Sequence, residues 1–346
     1  MSTDQPSESR KFRKKKRDLP YYLTGIREGN RFVLAEAITL AESTLAEDTL
    51  LIQQILLNLS KDEKNNSIRV AVTGSPGAGK STFIDYLGMF WIAEGRKVAV
   101  LSIDPSSTLS SGSILGDKTR METLSVEENA FIRPTASGQQ LGGISSNTRE
   151  AILLCEAAGY DHIIIETVGV GQNEAEVSSL TDINLFILQP GAGDDLQGIK
   201  RGVLEKADIC IVNKSDGHLK VSAEETARFY RQSLHYFHHP VPGWHIPVHQ
   251  VSSLLKEGLP GVITSFNTFI AISTESGYFS KNRKNQDVIW FEKKTREAVI
   301  AWAETFTPLQ NLVKDTILKI ERGEIKASAA MKAIQELFLK IKSESE

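Results

Sequence analysis

The sequence predicts an α/β fold, a mostly parallel sheet flanked by helices with helical extensions at both ends. Three observations predict it. Between residues 68 and 251, apolar runs of four to eight residues alternate with stretches of helical periodicity. Polar and glycine residues gather at the carboxyl ends of those runs. After about Ser273 the strand-like runs stop and long helical patterns take over. Continuous apolar strands separated by helices are what a parallel sheet covered on both faces requires. Ligands of such sheets bind beyond the carboxyl ends of the strands, where the polar residues lie.

Taken in order, residues 31–59 read as helical, because apolar positions recur at three- and four-residue intervals in FVLAEAITLAEST and LLIQQILLNL, with a break at Glu47-Asp48. A polar linker, SKDEKNNS, leads to the first strand, Ile68 to Gly74, and a helix then runs through about Ala93. KVAVLSID, HIIIETVG, INLFILQP and ADICIVNKSD read as further strands, and IPVHQV is strand-like. Residues 148–158 and 221–236 read as helices. From Asp287 to Ile341 the chain reads as long helices broken at Gly323. Leu309, Leu312, Val313, Thr316, Ile317 and Ile320 make one apolar stripe, and Ala330, Ile334, Leu337, Phe338 and Ile341 another. The expected division is a basic tail at 1–20, a helical segment at 21–65, a main domain at 66–275 and a helical extension at 280–346.

Composition narrows the class. The 346 residues carry 40 Lys+Arg against 43 Asp+Glu, a net charge of −3, with 40% hydrophobic residues. This balance excludes wholesale disorder, and it argues against nucleic-acid binding over the whole surface. No run approaches the ~20 apolar residues of a membrane span, and no apolar stretch marks the N-terminus as a secretory signal. Cys155 and Cys210, without a CxxC partner, are expected as buried thiols, which points to a cytoplasmic protein. Seven of the eight residues from Arg10 to Arg17 are basic, a solvated tail or a docking arm for an acidic partner.

The strongest chemical signal is Gly74-Ser75-Pro76-Gly77-Ala78-Gly79-Lys80-Ser81-Thr82, which fits G-x-x-x-x-G-K-[ST] between a strand and a helix. Glycines let backbone N–H groups close on phosphate oxygens, and the helix N-terminus adds partial positive charge. Lys80 is expected on the β- and γ-phosphates and Ser81 on Mg²⁺. The fold class thereby narrows to the P-loop NTPase type. Asn213-Lys214-Ser215-Asp216, at a later strand end, selects the base. A carboxylate at Asp216 accepts from guanine N1–H and the exocyclic amine, whereas adenine leaves it unpaired, so GTP is favoured over ATP. Asn213 would tie this loop to the phosphate loop, and the Lys214 stem would cover the base. Ser252, Ser253 and Leu254 are candidates for donors to the guanine carbonyl. Asp104 and Glu166 end strands facing the phosphate region, and with Asp117 they are candidate metal ligands. Gly169, in Glu166-Thr167-Val168-Gly169, is placed to offer its N–H to the γ-phosphate. Val170 cannot organise the attacking water, and Gln172 is the nearest amide, so slow unaided turnover completed by a partner is expected.

Together these residues resemble the metallochaperone-type P-loop GTPases, in which Glu stands where many GTPases place the Asp of D-x-x-G. More narrowly, ETVGVGQNE (166–174), PGAGDDLQGIKRG (190–202), GSILGDKTRM (112–121) and ADICIVNKSDG (207–217) are similar to the methylmalonyl-CoA mutase-associated GTPases, also labelled ArgK or arginine/ornithine transport kinases. The resemblance implies a cytosolic homodimer, held partly by C-terminal helices, that hydrolyses GTP. It further implies a chaperone for an adenosylcobalamin-dependent mutase, gating cofactor loading, protection and reactivation. Asp194, Asp195, Gln197 and Lys200 then lie on a mobile switch that meets the mutase. No nucleic-acid or membrane partner is expected.

Three other functions stay open at this point. A nickel or cobalt metallochaperone would use His235, His238 and His239 on one helical face, with His245 and His249 nearby. A transport-associated kinase is what the older family label suggests. A GTP-dependent binding module would hydrolyse only incidentally.

Overall fold

The computed structural model describes residues 17–61, 66–104, 121–136, 147–167, 177–191 and 204–345. It divides into two compact units, residues 1–282 and 283–346. The first is built on seven strands: β1 (Ile68–Gly74), β2 (Val98–Asp104), β3 (Ala130–Ala136), β4 (His162–Thr167), β5 (Ile183–Leu188), β6 (Ile209–Val212) and β7 (Val248–Gln250). They lie in the order β3-β2-β4-β1-β5-β6-β7, every neighbouring pair parallel. β1 sits between β4 and β5, so the chain changes direction across the sheet at the carboxyl end of β1, the place where open α/β sheets bind their ligands.

Both faces are covered, which is why the central strands β4, β1, β5 and β6 are mostly apolar. On one face, Val70, Val72, Val98, Val100 and Ile164 pack against α4 (Lys80–Ala93) through Phe83, Ile84 and Leu87. Phe266 and Phe269, from the later helix Leu259–Glu275, join the same cluster. On the other, Ala71, Ala99, Leu101, Ile163 and Ile165 meet α1 (Leu19–Arg27), α2 (Arg31–Ala41), α3 (Ala46–Leu59) and α5 (Thr148–Ala157). β5 and β6 also pack on α6 (Lys220–Leu234) through Tyr230 and Ala227. The helix at Leu259–Glu275 is α7. α8 (Tyr278–Thr305), α9 (Thr307–Glu321) and α10 (Ala327–Ser345) complete the chain.

The helical break expected at Glu47-Asp48 lies earlier, between Ala41 and Ala46. The two acidic residues open α3, where negative charge suits the helix N-terminus, and Ser43 donates to Asp48 (2.7 Å) across the gap. α1 was not singled out within the expected helical segment at 21–65. Asp18 caps it by accepting from the Tyr21 N–H (3.2 Å), with Pro20 in its first turn. β3 and α7 were not predicted either. Gly323, with φ +71°, separates α9 from α10 as the sequence anticipates. In the second unit α9 and α10 pack on each other. Leu309, Leu312, Val313, Thr316 and Ile320 are covered or partly covered there, whereas Ile317 and Phe338 are exposed.

Arg69 makes a two-pronged ion pair with Glu156 (Nε to Oε1 2.9 Å, Nη2 to Oε2 2.9 Å), and Ser67 also donates to Glu156 (2.6 Å). His162 stacks on Trp91 with ring centroids 3.9 Å apart. Burial pulls its pKa down to about 4, opposed by Asp161 and aided by Arg96. The folded protein therefore refuses a proton that the unfolded chain accepts between pH 6.5 and 4. Stability is lost as pH falls through that window, by about 2 kcal/mol between pH 7 and pH 5 for this group. Urea unfolding at the two pH values should show this difference, and His162→Phe, which keeps a stacked ring, should reduce it. An unchanged difference in the variant would exclude His162 as its source.

Both cysteines are buried and unpaired, and burial pushes both thiols up, Cys210 to about 12. Among the described residues no helix is long and apolar enough to cross a membrane.

Candidate functional site

The phosphate loop begins where β1 ends. Gly74 has φ +143° and passes so close to β5 that a Cβ there would stand 2.1 Å from the Ile187 carbonyl oxygen. Gly77 and Gly79 take left-handed φ of +77° and +84°, which turn the chain into α4. Lys80, 8% exposed, donates to the Gly74 (2.8 Å) and Ser75 (3.1 Å) carbonyls, so its ammonium is held over the loop by main-chain oxygen. Gln189, after β5, comes close to Gly77, with Oε1 4.0 Å from where a Cβ would stand. This neighbour of the loop was not singled out in the sequence.

Glu166 ends β4 beside this loop and is 3% exposed. It accepts from Ser81 Oγ at 3.0 Å and from Ser102 Oγ, on β2, at 3.3 Å. A buried carboxylate with two hydroxyls is a set of hard oxygen donors that fits Mg²⁺. Ser102, which the sequence reading missed, faces Glu166 because β2 and β4 pair with Ser102 beside Glu166. The backbone of Asp104 closes β2 at the same end of the sheet. Asp117, Gly169, Gln172, Asp194, Asp195, Gln197 and Lys200 lie outside the described residues.

The second half of the site follows β6. Asn213, 1% exposed, donates from Nδ2 to the Ala78 (3.0 Å) and Gly79 (3.3 Å) carbonyls, joining the two loops. Its Oδ1 accepts from the N–H and hydroxyl of Ser253 (3.2 and 2.8 Å), which brings in the loop after β7. A Cβ at Gly79 would lie 2.6 Å from Asn213 Nδ2, so glycine is required where these loops touch. Lys214 has φ +58°, and its stem lies near Gly79. Ser252 donates to Asp216 Oδ2 and accepts from the Leu255 N–H (3.1 Å). Ser252 and Ser253 are buried, whereas Leu254 is 77% exposed. Lys80, Ser81, Glu166, Asn213, Lys214, Asp216, Ser252 and Ser253 thus meet at one end of the sheet.

Residues 34–307 match the family described as methylmalonyl-CoA mutase-associated GTPase MeaB. The chain belongs to this family. Among its relatives, GTPase ArgK of Escherichia coli is 40% identical over 90% of this chain and 94% of its own. The mitochondrial methylmalonic aciduria type A homolog of Mus musculus is 38% identical over 94% and 80%. A crystal structure of an LAO/AO transport system kinase superposes with a TM-score of 0.71 at 34% identity, over 93% of this chain and 97% of that one. The family resemblance and the P-loop GTPase fold expected from the sequence are both borne out.

The histidines do not form the helical metal face considered from the sequence. α6 ends at Leu234, and the chain turns through His239-Pro240, which takes His238 and His239 off the helix. His239 Nδ1 accepts from the Val241 N–H (3.0 Å), so Nε2 carries the proton and donates to Asp208 Oδ1 (2.7 Å). Neither ring nitrogen is available to a metal while those bonds persist. Burial raises the Asp208 pKa, with the His239 bond opposing it. His249 instead meets Ser265 Oγ (2.8 Å). Among the described residues no group of three or more His, Cys, Asp or Glu side chains is assembled for a metal.

Proposed function

We propose that this family member is a Mg²⁺-dependent GTP switch with slow intrinsic turnover, acting on an adenosylcobalamin-dependent methylmalonyl-CoA mutase or a related acyl-CoA mutase. In this reading it gates cofactor loading and protects and reactivates its client. It works as a cytoplasmic homodimer, with the C-terminal helices contributing to the dimer. One observation carries the nucleotide reading: the Asn213 side chain ties the phosphate loop to the loop bearing Asp216, so triphosphate and base are read by one connected structure. The family description and the aciduria-related name of the mouse relative support the mutase as client. Exposed apolar side chains on α8, among them Phe291, Val299, Ile300 and Trp302, support a subunit contact.

In the reaction, water attacks the γ-phosphorus, its bond to the β–γ bridging oxygen breaks, and GDP and inorganic phosphate leave. Lys80 and the first N–H groups of α4 stabilise charge gathering on the phosphate oxygens. Ser81 and Glu166, with Asp104 and Asp117 as further candidates, would hold Mg²⁺, which when bound neutralises phosphate charge. Val170 offers nothing to orient water, which is why the partner is assigned the completing group. The residues of Pro190–Arg201, with Asp194, Asp195, Gln197 and Lys200, are the proposed partner switch.

The test is to mix the protein with an adenosylcobalamin-dependent mutase and measure complex formation and GTP turnover. Complex formation with faster release of inorganic phosphate is the expected result. Absence of both would overturn the client assignment. Transfer of γ-phosphate to a protein acceptor would favour a kinase instead.

A further inference from the structure

The guanine-side loop, Ser252 to Gly258, is a narrow turn closed by paired bonds between Ser252 and Glu257 (N to O 3.1 and 3.0 Å). Its inner end is tied to the base site, Ser252 to Asp216 and Ser253 to Asn213. Its outer end is exposed: Leu254 and Leu255 are 77% and 56% accessible, and Lys256 holds a left-handed φ of +57°. Among the described residues, a side chain from outside the turn fastens that end. The Tyr86 hydroxyl donates to the Lys256 carbonyl at 2.5 Å. Tyr86 belongs to α4, the helix that begins at Lys80, and its ring packs against the core beneath the sheet. Burial and nearby Glu257 both push its hydroxyl pKa up, which keeps it a donor.

We infer that Tyr86 is a positioning residue that latches the guanine loop to the phosphate-loop helix and so sets how long, and how selectively, guanine nucleotide is held. The inference rests on the guanine-site reading above. The path is short. Tyr86 fixes the Lys256 carbonyl, and the adjacent Leu255 N–H occupies a lone pair of Ser252 Oγ. That directs the serine proton to Asp216 Oδ2 and fixes the orientation of the carboxylate. In this reading guanine leaves past the turn, and the latch opposes the turn's movement from the helix that begins at the phosphate loop.

Tyr86→Phe keeps the ring and removes the donor. In stopped-flow dissociation with Mg²⁺ present, GDP should leave the variant about three- to tenfold faster than the wild type, the equivalent of one hydrogen bond. Preference for GDP over inosine diphosphate, which lacks the exocyclic amine that Asp216 reads, should fall as well. The thermal midpoint of nucleotide-free protein, measured in parallel, separates a latch from a general loss of folding. Equal GDP dissociation rates in the two proteins would overturn the latch. So would a lowered midpoint with the GDP-to-inosine-diphosphate preference intact. A wild-type protein that takes up no GDP would remove the guanine site and the latch together, whereas normal wild-type binding with an indifferent variant removes the latch alone.

Discussion

Asp216→Asn should reverse base selectivity, weakening GTP binding by ~10³-fold while creating affinity for xanthosine triphosphate. The reason is the direction of each hydrogen bond. Guanine presents two donors, N1–H and the exocyclic amine, and a carboxylate accepts both. An amide accepts one and points its own N–H at the other donor. Xanthine carries a carbonyl in place of that amine, so the same amide pairs with it fully. Ser252 strengthens the effect, because its hydroxyl already donates to Asp216 Oδ2 and holds the carboxylate in place. Asn213 and Ser253 anchor the surrounding loops independently of that carboxylate, so the variant should still fold. Calorimetry with GTP, ATP and xanthosine triphosphate decides the matter. A variant that retains wild-type preference for GTP would show that another group reads the base.

The second large effect is expected at Lys80. Lys80→Ala should lower GTP turnover by about 10²–10³-fold, the loss typical when one preorganised charge-stabilising donor is removed from a site. Lys80 is nearly buried and is held at 2.8 and 3.1 Å by the Gly74 and Ser75 carbonyls. Those oxygens keep the ammonium over the loop, so little reorganisation is needed when phosphate oxygens replace them. Its removal takes a desolvated charge out of the fold, and the nucleotide-free protein should unfold at an equal or higher temperature. Stabilisation by added GTP should shrink, because binding to the folded state is what raises the midpoint. Turnover within tenfold of wild type would show that the helix N-terminus and metal suffice without the lysine.

Much of the architecture could be read from pattern alone. β1, β2, β4, β5 and β6 are apolar runs because parallel strands covered on both faces have no solvent side, and such runs stand out from helical periodicity. β3 did not stand out. Arg133 and Pro134 interrupt its apolar character, and they are tolerated because, among the described residues, β3 is the edge strand of the sheet. Arg133 is in turn paired with Glu42 of the segment after α2 (2.8 Å), a contact that no local pattern announces. α1 carried a readable signal in Asp18 and Pro20, but both lie within the span assigned to the basic tail.

The candidate site divides in the same way. Its phosphate loop and base loop are local motifs, since glycine conformation and the order of a strand, a turn and a helix are properties of a few consecutive residues. Ser102 beside Glu166, Gln189 beside Gly77 and Tyr86 against Lys256 are not local. The first two arise from strands that the sheet order brings side by side, and the third joins residues 170 positions apart. Periodicity and glycine placement specify what each segment becomes, because both act over a few residues. Which segments share a crevice is decided by the order in which strands pair, and that depends on burying apolar faces from the whole chain at once. For this protein the motifs of nucleotide chemistry were therefore written in short stretches, while the contacts that join those stretches into one site exist only in the folded assembly of strands.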